Sequence, residues 1–239
     1  MASLTCFHRR FTFNWLMIMG VIFSSSFFIY LGIWQLNRAH EKKSMLITEK
    51  YLSEKSPIKW QVNSNPKQYQ QIIVQGQYLP QNFLLDNQHY EHQFGYNVLT
   101  PLLLSDGKVI LIDRGWIKGD LDRRKLPTIT FLNKSLQLLG QVYYPSSKNW
   151  VLGQILEEKT PNLAVIEQID PVKISQFLHK SVYPFIIRLH KLEKNGYIRE
   201  WAVISMPPAR HKAYALQWFA MALAIWVIFI GLNLKKTNE

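Results

Sequence analysis

Residues 11–37, FTFNWLMIMGVIFSSSFFIYLGIWQLN, and residues 213–234, AYALQWFAMALAIWVIFIGLNL, decide the fold, because neither run carries a charged side chain. Arg10 and Arg38 bound the first run, and Lys212 and Lys235 bound the second. An α-helix rises ~1.5 Å per residue, so each run is long enough to cross a hydrocarbon core of ~30 Å. The expected architecture is a membrane protein in which two transmembrane helices, 11–37 and 211–234, flank one β-rich (α+β) extracytoplasmic domain, 38–210. An ordinary soluble protein is excluded. The first run is too long for the apolar core of a signal peptide, and it passes into Leu31-Gly32-Ile33-Trp34 without a small-residue cleavage site.

Two spans place residues 1–10 and 235–239 on one side of the membrane. Arg9, Arg10, Lys235 and Lys236 mark these short ends, and long domains cross a membrane largely regardless of charge, so the ends are expected in the cytoplasm. The middle domain then faces the periplasm from a bacterial inner membrane, or the intermembrane space if the membrane is the mitochondrial inner membrane. No transit peptide is recognisable, which favours the bacterial case. The single cysteine, Cys6, precedes the first span, so the middle domain can hold neither a disulfide nor a thiolate metal site. Residues 38–210 carry 23 basic and 15 acidic side chains, but these are scattered, and the densest cluster is Arg123-Arg124-Lys125. No nucleic-acid motif accompanies them, and the reading is a solvated surface near the anionic headgroups of the lipid bilayer.

Residues 38–55 lack Gly and Pro and are rich in Glu, Lys and Leu, which extends the first helix beyond the membrane until Ser56-Pro57. After Pro57 the period changes. Ile72, Val74 and Tyr78 alternate with glutamines over 71–78, the signature of a half-buried strand. Residues 95–100 and 108–113 read as strands joined through the turn Ser105-Asp106-Gly107, and residues 136–143 as another strand. Residues 183–189 and 197–204 read as a late hairpin around Asn195-Gly196. One helix follows Asp170-Pro171, an N-cap and a proline at the first helical position, with Ile174, Phe177 and Leu178 at helical spacing.

The familiar catalytic signatures are missing: HExxH, GxSxG, a phosphate-cradling glycine loop and a dinucleotide fingerprint. The chain is therefore read as a non-enzyme. His89-Tyr90-Glu91-His92 has a spacing that could hold a metal if helical, but it sits in a polar loop between strands. Two clusters carry more weight, because the topology brings them to one outer interface. Leu31, Trp34, Gln35 and Arg38 share a face of the first helix, and His211, Tyr214, Ala215 and Trp218 share a face of the second. An aromatic belt with snorkelling basic residues accounts for Trp34 and Trp218. It does not account for Gln35, Gln217 and His211, which suggest contacts between the helices or a ligand. A third constellation, Asp113-Arg114-Gly115-Trp116, ends a strand. Gly115 permits a bulge there, with Arg114 stacked on Trp116 or turned back to a carboxylate, in a structural role ahead of contact with an acidic ligand.

These residues resemble the surfeit locus protein one family, assembly factors of cytochrome c oxidase. The matching elements are Leu-Gly-x-Trp-Gln-x-x-Arg at Leu31 to Arg38, Gly76-x-Tyr78, Leu84-Leu85-Asp86-Asn87, and Gly95-Tyr96 leading to Leu99-Thr100-Pro101-Leu102. Arg114-Gly115-Trp116 and Tyr214-Ala215-x-Gln217-Trp218-Phe219 complete the series. The resemblance implies a membrane-bound assembly factor that handles haem a and aids its insertion into the catalytic subunit of a haem-copper cytochrome c oxidase. The implied partners are that subunit or its assembly intermediates, together with the haem a synthesis machinery. His211 carries over as the axial haem ligand, with Arg210 and Lys212 suited to the propionates and Tyr214, Trp218, Gln217, Trp34, Gln35 and Arg38 around it. No metal beyond the haem iron is implied. Gly76, Gly95, Tyr96, Pro101, Arg114, Gly115 and Trp116 are assigned to the structure or docking surface of the middle domain. The competing reading is a structural scaffold that holds oxidase assembly intermediates and binds no cofactor.

Overall fold

The computed structural model describes residues 2–6, 9–62, 64–130, 135–145 and 155–236. Of the expected cytoplasmic ends, Met1, Phe7, His8 and residues 237–239 lie outside the described residues. The chain forms two compact units, one of Met1–Ile47 with Val203–Glu239, the other of Thr48–Ala202. Two long apolar helices thus flank a sheet-rich domain.

The first unit opens with strands β1 (Ala2–Cys6) and β2 (Arg9–Phe13). Helix α1 (Trp15–Ser53) begins four residues later than the apolar run suggests. The cause is local: Asn14 Oδ1 accepts the Leu16 N–H at 3.1 Å, an N-cap that starts the helix at Trp15 and leaves Phe11–Phe13 to the strand. Helix α1 has 39 residues and so runs about 58 Å, close to twice the thickness of a hydrocarbon core. Glu41, Lys42, Lys43, Glu49 and Lys50 make its second half polar. Near the other end of the chain, helix α3 (Pro208–Asn233) has 26 residues and is apolar from Ala213 onward. Strand β12 (Leu234–Lys236) follows it and pairs antiparallel with β2, Leu234 opposite Phe11, so the start of α1 and the end of α3 meet in one three-stranded sheet.

The second unit is built on a sheet that closes on itself. Its strands are β3 (Ile58–Lys59), β4 (Gln71–Tyr78), β5 (Asn82–Tyr90), β6 (Gln93–Leu103), β7 (Val109–Lys118), β8 (Ser135–Tyr143), β9 (Leu156–Thr160), β10 (Leu163–Ile166) and β11 (Val182–Leu189). Neighbours run β4-β8-β11-β7-β6, and the end of β6 returns to β4, with Gln77 opposite Leu103 and Tyr78 opposite Leu102. Alternate residues of these five strands fill the barrel: Ile72 and Val74, Leu138 and Val142, Phe185 and Ile187, Ile110 and Ile112, and Leu102. The period of two seen in the sequence is this inward set. The opposite face of the sheet holds Phe83, Leu99, Leu111, Ala164 and Ile186 and is covered by helix α2 (Pro171–Leu178) through Ile174. Asp170 caps α2 by accepting the Val172 and Lys173 N–H groups, as the Asp-Pro pair predicts.

Closure explains two of the singled-out residues. At Gly76 a Cβ would press on the Leu103 carbonyl, so only glycine lets β6 cross onto β4. Pro101 sits where the same edge of β6 passes from β5, last paired at Leu99, to β4, first paired at Leu102. Its carbonyl accepts from Leu79 N–H at 2.9 Å, so the edge that lacks its N–H is the one at the hand-over, where no ladder bond is lost.

Two expectations need correction. Residues 197–204 do not form a hairpin with β11, because both edges of β11 are occupied, by β8 antiparallel and by β7 parallel. Instead Tyr197 N–H donates to the Arg114 carbonyl at 2.7 Å, and Trp116 and Ile198 exchange two hydrogen bonds. The segment thereby occupies the edge of β7 beyond Asp113, where β11 pairing stops. The second concerns His89-Tyr90-Glu91-His92, which is no loop: β5 runs through Tyr90, and Glu91 (φ 47°) and His92 (φ 62°) alone make the turn into β6. Two consecutive left-handed residues give the hairpin turn normally signalled by Asn-Gly, a cue absent here.

Candidate functional site

In the first unit the two apolar helices meet through residues spaced four and three apart. On α1 Ser25 and Gly32 are buried with Phe28 and Gln35 half-buried, and on α3 His211, Ala215 and Ala222 are buried with Trp218 half-buried. Gly32 makes the approach possible, because a Cβ there would lie 2.5 Å from the Phe219 ring. Phe28 and Trp218 stack with ring centroids 5.7 Å apart.

The polar centre of this seam is His211, 8% exposed. Its Nδ1 lies 2.7 Å from Gln35 Oε1. An amide oxygen only accepts, so Nδ1 is the donor to Gln35, and the tautomer with its proton there has the free lone pair on Nε2. That Nε2 is buried and has no hydrogen-bond partner among the described residues. A buried polar atom without a partner is costly. Here it is also the atom an imidazole uses to ligate a metal, with the tautomer fixed by the group on the other nitrogen.

Ala215 and Trp218 share this seam, and the other residues of the sequence cluster do not converge on it. Trp34 is 46% and Tyr214 40% exposed, and Gln217 is exposed. The physical reason is the phase of the helix: the seam runs through Gln35 and through His211, Ala215 and Trp218, and each of the three exposed residues is one position, or about 100°, off it. Arg38 is held in an ion pair with Glu41 at 2.6 Å, and Arg210 and Lys212 are exposed on either side of His211. His40 is exposed as well.

In the sheet domain the bulge expected at Gly115 is present. Asn97 pairs with Trp116 and Leu99 with Asp113, so β7 has one residue more than β6 between these pairs. Gly115 has φ +112°, and a Cβ would lie 2.5 Å from the Ile198 carbonyl oxygen. Arg114 neither stacks on Trp116 nor meets a carboxylate, which corrects both alternatives. It is 2% exposed and donates to the Asn195 carbonyl from Nε (3.1 Å) and Nη2 (2.8 Å). Its Nη1 donates to the Thr130 carbonyl (3.2 Å) and Thr100 Oγ1 (3.3 Å). The guanidinium lies 5.1 Å from the Tyr197 ring centroid and 5.8 Å from that of Tyr78. Burial pushes the Tyr78 phenol up to about 12, against the opposing pull of Arg114.

Trp116 packs across the hairpin on Gly95, where a Cβ would lie 2.5 Å from the indole, and its Nε1 donates to the Gln88 carbonyl at 3.2 Å. Tyr96 is buried edge-to-face against Phe94. Sequence reading missed the acceptor of Arg114, since Asn195 lies 81 positions away. It named Asp113 in the third constellation but not its partners: Asp113 accepts from Gly115 N–H (3.2 Å) and Asn97 Nδ2 (3.1 Å). Burial pushes its carboxyl up to about 6, opposed by Arg188 and by those two hydrogen bonds.

Comparison with known proteins places this geometry in context. Residues 22–223 match the model of the SURF1 family. A SURF1-like protein of Rickettsia felis is 25% identical over 217 residues, covering 88% of this chain and 93% of the relative. One from Rickettsia conorii is 25% identical over 221 residues, covering 88% of each chain. A SURF1-like protein of Dictyostelium discoideum is 31% identical over 100 residues, 36% of this chain and 37% of the relative. The family match spans the seam from Phe28 and Gly32 through His211 to Trp218 as well as the entire sheet domain, and the chain belongs to the SURF1 family.

Proposed function

We propose that this chain is a two-pass protein of a bacterial inner membrane that handles haem a during assembly of a haem-copper cytochrome c oxidase, with His211 as the axial ligand. The observation that carries the reading is the His211–Gln35 pair: Nδ1 is held at 2.7 Å, while Nε2 is buried and unpartnered between two apolar helices. The Nε2 lone pair is of the kind an iron takes and apolar helix faces suit a macrocycle with an isoprenoid tail, and because Nε2 is enclosed at the seam, haem would reach it only once α1 and α3 part around His211. His211 would hold haem through Nε2, and haem would supply an iron for that nitrogen to ligate. Gln35 keeps the proton on Nδ1, and the exposed Arg210 and Lys212 stand ready for propionates. The sheet domain supplies a rigid surface for the oxidase catalytic subunit or its assembly intermediates.

Both helices are long and apolar enough to cross a bilayer, and the short basic ends favour a cytoplasmic location for both termini, with the sheet domain in the periplasm. The pairing of β2 with β12 supports a common side for the two ends. The test is the absorption spectrum of the full chain purified in detergent from cells that make haem a. A haem spectrum in the purified protein is the expected result. A colourless protein that co-purifies with oxidase subunits would leave the scaffold reading in its place.

A further inference from the structure

The sheet of β1, β2 and β12 sits where the two long helices begin and end: β2 passes through Asn14 into α1, and α3 passes directly into β12. Its register sets Leu4 opposite Phe11 and Cys6 opposite Arg9 on one side of β2, and Leu234 opposite Phe11 and Lys236 opposite Arg9 on the other. Directly opposed residues share a face of a sheet, and the faces alternate along each strand. One face therefore carries Ala2, Leu4, Cys6, Phe11, Phe13 and Leu234, with Arg9 and Lys236 side by side at its far end. The other carries Ser3, Thr5 and Thr12 with Arg10 and Lys235. The sheet is amphipathic, with one cation pair on each face.

Like charges set directly opposite each other destabilise a ladder unless an anion offsets them. The chain offers none nearby. Cys6 and Thr5 are the residues of β1 opposite Arg9 and Arg10, and no Asp or Glu occurs in residues 1–40 or 201–238. Glu239 lies outside the described residues, and Glu41, the first acid of the chain, is about 39 Å along α1 from Trp15. A bilayer supplies what both features of the sheet require, acyl chains for an apolar face that runs on into two apolar helices and phosphates for the cations at its rim. We propose that the three-stranded sheet lies in the headgroup layer at the ends of the spans and binds anionic phospholipid, an inference that rests on the two-pass reading of the chain. The Leu4, Phe11, Phe13 and Leu234 face meets the acyl chains, Arg9 and Lys236 take the lipid phosphate, and Arg10 and Lys235 face the water.

The experiment titrates the full chain in detergent with dioleoyl phosphatidylglycerol or dioleoyl phosphatidylcholine and follows the lipid-bound forms by native mass spectrometry. Phosphatidylglycerol should bind about fivefold or more tightly than phosphatidylcholine, the effect of one or two cations on a lipid phosphate. The double variant Arg9→Gln/Lys236→Gln should lose most of that preference, whereas Arg10→Gln/Lys235→Gln, on the polar face, should keep most of it. Glutamine relieves the like-charge pair in both, so neither variant weakens the ladder. Excess inorganic phosphate should leave the lipid bound; its displacement would mean a site for free phosphate and overturn the assignment to lipid. Equal affinity for the two lipids, or equal losses in the two double variants, would overturn the inference while the chain still resists extraction from membranes by alkaline carbonate. Release of the chain by carbonate would instead overturn the two-pass reading and the inference with it.

Discussion

Replacing Arg114 by Met or by Lys separates a guanidinium that holds the domain together from one reserved for an acidic partner. The side chain is 2% exposed and makes four hydrogen bonds, two of them to Asn195 O. Met keeps the length and apolar stem but takes the Arg114 donors from the Asn195 and Thr130 carbonyls, while Thr100 Oγ1 retains its 2.6 Å bond to Asn82 Oδ1. A buried acceptor left without its donor costs ~1–3 kcal/mol, and Met takes the Arg114 donors from two carbonyls, so Arg114→Met should lose ~2–6 kcal/mol. For a domain of this size a loss of ~3 kcal/mol lowers Tm by ~6–12 °C. Lys retains the charge but not the planar fork that reaches Asn195, Thr130 and Thr100 together, so Arg114→Lys should lose more than half as much. The assay is thermal unfolding of the full chain in detergent, followed by tryptophan fluorescence. A Tm within ~2 °C of the parent for Arg114→Met, or full retention by Arg114→Lys, would refute the reasoning and return Arg114 to a surface role.

Asp113 gives a pH signature. Its folded-state pKa is raised to about 6, so the stability tied to its neutral form is present at low pH and is lost as pH rises through 6. Between pH 7.5 and pH 5 the parent should gain roughly 1 kcal/mol in urea unfolding relative to Asp113→Asn, and equal pH profiles for the two would contradict the buried carboxyl. At the helix seam, Gly32→Leu should destabilise the first unit by driving a side chain into Phe219, and Phe219→Ala should restore much of the loss in Gly32→Leu. An absence of coupling in that double-mutant cycle would contradict the contact. A reporter fused after Glu239 should behave as cytoplasmic, and one inserted at Ser146-Ser147-Lys148, outside the described residues, as exported; the reverse pattern would overturn the orientation.

What the sequence disclosed follows from the range of each signal. Apolar runs and periods of two and 3.6 are local, so the long helices, β4, β6, β7, β8, β11 and the Asp170-capped helix were legible. Edge occupancy is not local. Only the closed ring of strands shows that β11 has no free edge for residues 197–204, and that Arg114 reaches Asn195 across the end of the barrel. Two positive-φ residues without glycine or asparagine hid the β5–β6 turn. At the helix seam, helical spacing marked His211 and Gln35, yet the same spacing put Trp34 and Tyr214 on that face, and the phase set by Gly32 against Phe219 turned them outward.

The measurement that bears most directly on the haem reading is the spectrum of His211→Ala, purified in parallel with His40→Ala from cells making haem a. Alanine favours helix and leaves no buried charge, so His211→Ala should still insert and accumulate. It removes the buried imidazole whose Nε2 is free, whereas His40 is exposed and two positions beyond Arg38. The account predicts that His211→Ala is purified without haem, or nearly so, while His40→Ala keeps the parent spectrum. An unchanged haem spectrum in His211→Ala would contradict the ligand assignment.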